Sequence, residues 1–182
     1  MAAAQQLFLR QGVAPTTIEQ ITMAADVAKG TFYLYFSSKD DVLAALGDRF
    51  AQKHRARIAA AVDELPPDDW PGRLSAWAHA GVDSYLDSIR VHDMLFLGTR
   101  PTTREGLVDN IAIDHLAEML QAGVTAGAWK LDDARFAAVF LFSGLHAVVD
   151  DAYGREKKVD RARLTWQVER LYFRTAGLPF GR

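Results

Sequence analysis

The chain has 182 residues, no cysteine and a formal net charge of −2. That length holds one large domain or two small ones. The absence of thiols excludes disulfide scaffolds, thiolate zinc sites and cysteine nucleophiles, and the near-neutral charge speaks against a protein that coats nucleic acid non-specifically, though not against one that reads it through a few cations. The first predicted helix covers residues 1–10, with Leu7 and Phe8 in its core, and is broken by Gly12 and Pro15. Thr16-Thr17-Ile18-Glu19 spells a capping box, in which Thr16 accepts from the amide of Glu19 and Glu19 reaches back to the amide of Thr16. The short helix it opens runs to about Ala25, burying Ile18, Ile21 and Ala25. Asp26-Val27 makes a tight turn, and a second short helix covers 29–34. Ser38-Lys39-Asp40-Asp41 caps a long helix that reaches about Glu64.

Leu65-Pro66-Pro67-Asp68-Asp69 must end that helix and is the best linker in the chain, because proline lacks the amide and disfavours helix before it. Pro71 suits the first turn of the next helix, predicted to about Arg90, with a short piece over 92–98. A helix over 103–126 places Leu107, Ile111, Leu116, Leu120 and Val124 at core spacing. Gly127 and Trp129 mark a turn, Asp132 starts a helix over 134–153, and Asp160 starts the last, which Gly177 stops. Strand-like alternation is nowhere sustained, so the fold class is all-α: a first domain (1–46) of three helices in a helix-turn-helix arrangement, followed by a second helical domain (47–182). The apolar stretch 136–145 is too short to span a bilayer, and Met1-Ala2-Ala3-Ala4 lacks the basic start of an export signal. The expected location is cytoplasmic, with no membrane partner.

Two short helices joined by a tight turn, with a helix on either side, suit the major groove: the second helix reads base edges and the first crosses the backbone. The run from Ala4-Gln5-Gln6-Leu7-Phe8 through Thr16-Thr17-Ile18 and Ala24-Ala25-Asp26-Val27-Ala28-Lys29-Gly30-Thr31-Phe32-Tyr33-Leu34-Tyr35-Phe36-Ser37-Ser38-Lys39 resembles the TetR family signature. The resemblance implies that Thr17, Tyr35 and Lys39 hold the DNA backbone, that Lys29, Gly30 and Thr31 open the recognition helix toward the groove, and that Tyr33 reaches a base edge or phosphate. Gly30 then lets the backbone approach DNA. The sequence departs from the family in three places. Asp26 stands where glycine is usual at the turn, and Ala28 replaces the usual hydroxyl cap, a loss of about 1 kcal/mol. The basic arm often found before the first helix is missing, and residues 1–50 hold Arg10, Lys29, Lys39 and Arg49 against Glu19, Asp26, Asp40, Asp41 and Asp48. The expectation is therefore either a native start further upstream that supplies the arm or DNA binding of modest affinity through few phosphate contacts.

For the second half, the resemblance implies a homodimer built on the last two helices, which carry Phe136, Val139, Phe140, Leu141, Phe142, Leu145, Val148 and Val149, then Leu164, Val168, Leu171 and Tyr172. It also implies a pocket for an unidentified small-molecule effector, without a cofactor or metal. Candidate contacts are Trp77, Tyr85, Asp114, His115, Trp129 and His146, with His79, Asp83, His92 and Tyr153 in reserve. The function implied is a sequence-specific transcriptional regulator, a repressor released from palindromic operator DNA by that effector. Two enzymatic readings compete. Asp114, His115 and Glu118 lie within one turn but lack a second ligand set, and Ser143, His146 and Asp150 share a helical face but lack a nucleophile elbow. The expectation is that the protein is not an enzyme.

Overall fold

A computed structural model describes residues 1–96 and 104–179. The described residues form helices α1 (Ala2–Gln11), α2 (Ile18–Ala24), α3 (Lys29–Tyr33), α4 (Lys39–Asp63), α5 (Trp70–Phe96), α6 (Arg104–Val108), α7 (Ile111–Thr125), α8 (Ala134–Arg155) and α9 (Arg161–Thr175), with no strand among them. The chain divides into two compact units. The first holds Met1–Ala51 and the end of α5 from Ser88, and the second holds Gln52–Asp87 and the described residues from 104 onward. The division therefore does not follow a single cut after residue 46. Helix α4 passes from the first unit into the second, and α5 runs back into the first.

In the first unit, Ala4, Leu7 and Phe8 of α1 meet Ile21 of α2, Phe32 of α3, and Val42 and Leu46 of α4, with Met94 and Leu95 of α5 packed against them. Full burial of each large side chain contributes about 1.5–3 kcal/mol, which outweighs the weak helix propensity of a five-residue α3. Ala25 is exposed rather than buried, and Thr22 takes the inward position, its hydroxyl donating to the Glu19 carbonyl at 3.0 Å. In the second unit, Trp77 and Tyr85 of α5, Ile113, Leu116 and Leu120 of α7, Leu141 and Val149 of α8, and Tyr172 of α9 are almost fully buried. All four tryptophans (Trp70, Trp77, Trp129 and Trp166) belong to this unit. Trp129 donates its indole N–H to the Leu120 carbonyl at 2.8 Å, and its ring lies where a Cβ on residue 123 would approach within 2.2 Å, so only glycine fits at Gly123. Trp77 stacks on Tyr172 with ring centroids 5.9 Å apart.

Several boundaries differ from the sequence expectation, each for a local reason. Helix α5 continues through His92 to Phe96, because no glycine or proline interrupts the chain after Gly81. The expected helix over 103–126 is instead two helices. Asn110 breaks it by accepting from the amides of Ala112 and Ile113 and donating to the Gly106 carbonyl, which caps α7 and closes α6 with one side chain. The expected ends at Gly98 and Thr103 lie outside the described residues. Asp133, not Asp132, caps α8, accepting from the Phe136 amide at 2.9 Å. Asp160 caps α9, and Gly177 at φ 70° ends it, with the Leu178 amide donating to the Phe173 carbonyl at 2.8 Å. Helix α8 extends to Arg155, and its 22 residues are long and apolar enough to cross a membrane on length and composition alone, beyond the short stretch marked in the sequence. Its inner face, including His146, is buried within the unit.

Candidate functional site

The segment from α2 to the start of α4 carries the expected helix-turn-helix. The capping box is present one residue later than the sequence reading had it. Thr17 is the N-cap of α2 and accepts from the Gln20 amide at 3.2 Å, while Gln20 Oε1 accepts from the Thr17 amide at 3.0 Å. Thr16 is instead fully buried, its hydroxyl donating to the Gly12 carbonyl at 2.6 Å. Thr17 stays exposed. The turn into α3 places Asp26 at φ 53°, in the left-handed region that a short polar side chain tolerates. Ala28 precedes α3 in extended geometry and gives no side-chain cap.

On α3, Phe32 faces inward, with Tyr33 edge-on at 5.4 Å and Phe36 at 5.8 Å between ring centroids. The opposite face is open: Lys29 and Gly30 are exposed and Thr31 is half-buried. A Cβ on Gly30 would meet nothing within 4 Å, so no packing inside the unit requires glycine there. Tyr33 and Tyr35 are 51% and 76% exposed, and Leu34 between them is 80% exposed, alongside Met23 at 79%. Leu34 was absent from the sequence candidates. The available signal was an apolar residue out of phase with Phe32 and Phe36, hidden by the family pattern around it.

The two lysines of this segment are engaged within the protein. Lys29 pairs with Glu19 of α2 across an exposed surface. The ammonium hydrogen bond holds the Glu19 carboxyl below its usual range, and the same bond raises Lys29. Lys39 was expected to hold a DNA phosphate. Its ammonium instead donates to the carbonyls of Val13, Ala14 and Thr16 at 2.9, 3.0 and 2.6 Å. An ammonium has three donors, so this geometry spends all of them on tying the start of α4 to the loop before α2. Asp41 accepts from both the amide and the hydroxyl of Ser37, and this holds its carboxyl below the ordinary value.

The six effector candidates take two kinds of place among the described residues. Asp114 and His115 line an open cleft of about 380 Å³ with Gln52, Arg55, Ile111 and Glu118. Asp114 is paired with Arg135 of α8. His115 Nδ1 accepts from the Trp77 indole N–H at 3.3 Å, and burial, then the charge of Arg55, lowers its pKa. Trp77, Tyr85, Trp129 and His146 are buried in the core of the second unit. Tyr85 donates its hydroxyl to Asp150 at 2.7 Å and packs its ring 4.5 Å from His146, whose Nδ1 donates to the Phe142 carbonyl at 3.0 Å. Those bonds also occupy two members of the Ser143, His146 and Asp150 set. Among the described residues, no group of three His, Asp or Glu side chains could hold a metal, Asp114, His115 and Glu118 included. Outside this core, α8 exposes Phe136 (72%) and Phe140 (62%), followed one turn on by Gly144, beside which a Cβ would meet nothing. On α9, Leu171 and Trp166 are exposed, and the Arg170 guanidinium lies 4.5 Å over the Trp166 ring.

Comparison with known proteins places this geometry in context. The family model for bacterial regulatory proteins, tetR family, matches residues 1–46. A curated relative, the probable HTH-type transcriptional regulator ArpR of Pseudomonas putida, is 37% identical over 67 residues, which is 36% of this chain and 32% of the relative. The match thus spans about a third of that relative's length. Among solved structures, the fatty acid degradation regulator FadR of Bacillus halodurans is 26% identical with a TM-score of 0.75, covering 98% of this chain and 97% of its own. The FadR of Bacillus subtilis, solved in complex with stearoyl-CoA, is 21% identical with a TM-score of 0.74 and 96% coverage of each chain.

Proposed function

This chain belongs to the TetR family of transcriptional regulators, and from that premise we propose that it is a repressor whose α3 enters the major groove of a palindromic operator and which a small-molecule effector releases. The observation that carries the reading is the outward face of α3. Lys29, Gly30 and Tyr33 are exposed on a helix whose inner side is pinned by Phe32, and Leu34 and Tyr35 are exposed just after its end. Exposed aromatic and apolar side chains on a polar unit mark a surface built to be covered. Thr17 and Tyr35 contact phosphate and position the protein, while Lys29, Thr31, Tyr33 and Leu34 read base edges. Lys39 contributes by bracing α4 against the loop before α2 rather than by touching DNA.

A palindromic operator needs two recognition helices related by a two-fold axis. The exposed stripe of Phe136, Phe140 and Gly144 on α8, with Leu171 on α9, supports a homodimer on these helices. A B. subtilis relative of the same fold was solved with stearoyl-CoA, which supports a small-molecule effector here. An effector that reaches Trp77, Tyr85 and His146 opens the packing in which they are buried. Helix α4, continuous from Lys39 to Asp63, carries the change toward α3. The shift is bounded by the effector's differential affinity for the two states, about 1–3 kcal/mol.

The test is binding to labelled duplex from the DNA upstream of the coding sequence. The wild-type chain is expected to shift a palindromic segment, and Tyr33→Ala to lose the shift while remaining dimeric by light scattering. A wild-type chain that binds no segment, or an unaffected Tyr33→Ala, overturns the reading.

A further inference from the structure

We propose that Glu19 limits sequence-independent DNA binding by competing with phosphate for Lys29. The proposal rests on the DNA-binding reading above and assigns a role to a residue that reading leaves unused. Glu19 sits on the first turn of α2, and Lys29 is the first residue of α3. The pair therefore spans the two short helices on the open side of the unit, with side chains 62% and 53% exposed. A duplex phosphate approaching α3 meets a cation already neutralised and a carboxylate of its own sign. The contrast with Lys39 is chemical. Lys39 is tied to three carbonyls, which cannot leave without rearranging the loop. Lys29 is tied to one flexible, solvated carboxylate, an exchangeable partner.

The consequence falls on weak, sequence-independent binding, which rests almost wholly on phosphate neutralisation. A duplex that offers Lys29 a phosphate must compete with the Glu19 carboxylate for it, so Glu19 holds back this phosphate-driven binding. Its neutral isostere, Glu19→Gln, keeps the side-chain volume at an exposed position and preserves the fold.

The experiment measures anisotropy of a labelled random-sequence duplex against the full chain over a range of salt concentrations. The wild type is compared with Glu19→Gln, Glu19→Ala, Lys29→Ala and the double variant Glu19→Gln/Lys29→Ala. Both Glu19 variants are expected to bind roughly three- to tenfold more tightly, the scale of an exposed ion pair in each half of a dimer. The slope of log affinity against log salt should steepen by about 0.9 for each lysine released. In the Lys29→Ala background the Glu19→Gln gain should fall to less than half. Unchanged or weaker binding by the Glu19 variants overturns the proposal, as does a gain that persists in full without Lys29, since Glu19 would then act as a bare charge. If the wild type binds neither this duplex nor the upstream DNA, the DNA-binding reading itself fails, an outcome distinct from either.

Discussion

Gly30 separates stability from function at a single residue. Its absent side chain leaves empty space in the free protein, and glycine in a helix is destabilising by about 0.8–1 kcal/mol relative to alanine. Gly30→Ala should therefore raise the urea midpoint by an amount equivalent to about 0.5–1 kcal/mol, while weakening DNA binding by blocking backbone approach. Loss of stability, or unchanged DNA affinity, would refute that assignment. His115 supplies a pH signature. Burial lowers its pKa below the ordinary histidine value of about 6.5, and its Nδ1 must stay unprotonated to accept from Trp77. As pH falls below about 6.5 the unfolded histidine takes up a proton that the folded one resists. Its contribution is thus intact above that pH and is lost progressively down to the folded pKa. His115→Gln should flatten the decline of the urea midpoint between pH 7 and 5, and an identical decline in both proteins would count against it. At this scale the sequence was readable to within one residue. Thr16 and Thr17 carry the same hydroxyl, and Glu19 and Gln20 are both acceptable third residues of a capping box. Only the burial of Thr16 against Gly12 chooses between the two registers. The engagement of Lys39 with three carbonyls was not readable, because its partners lie 23 to 26 positions away.

At the scale of elements, helix starts followed their caps. Asp160 was legible because it is the only acid just before α9, whereas adjacent Asp132 and Asp133 are chemically equal and the structure uses the second. The break at Asn110 escaped the sequence reading because the apolar spacing on either side stays in phase. The apolar residues of helix α8 divide between its two sides. Leu141, Phe142, Leu145 and Val149 build the core of the second unit, while Phe136 and Phe140 remain outside it. Each exposed phenylalanine would gain about 1.5–3 kcal/mol on full burial. The double variant Phe136→Glu/Phe140→Glu is accordingly expected to be monomeric by light scattering, with its helix content unchanged. A variant that remains a dimer would move the subunit interface elsewhere.

For the whole molecule, the all-helical class and the early helix-turn-helix were legible from breakers, caps and an ordered motif. The sharing of α4 and α5 between the two compact units was not, since long uninterrupted helices carry no mark of where their partners change. The effector candidates show the same limit. Aromatic side chains with polar tips satisfy the description of a pocket and that of a core equally well, and Trp77, Tyr85, Trp129 and His146 are core in this state.

The distribution of tryptophan has an optical consequence. All four lie in the second unit, and the first holds only Tyr33 and Tyr35 as its phenolic chromophores. Under excitation selective for indole, the molecule has a lit half and a dark half. On the proposed reading, emission follows effector entry around Trp77 and subunit association beside Trp166, yet the unit that carries α3 can fray or dock without changing the colour of the light.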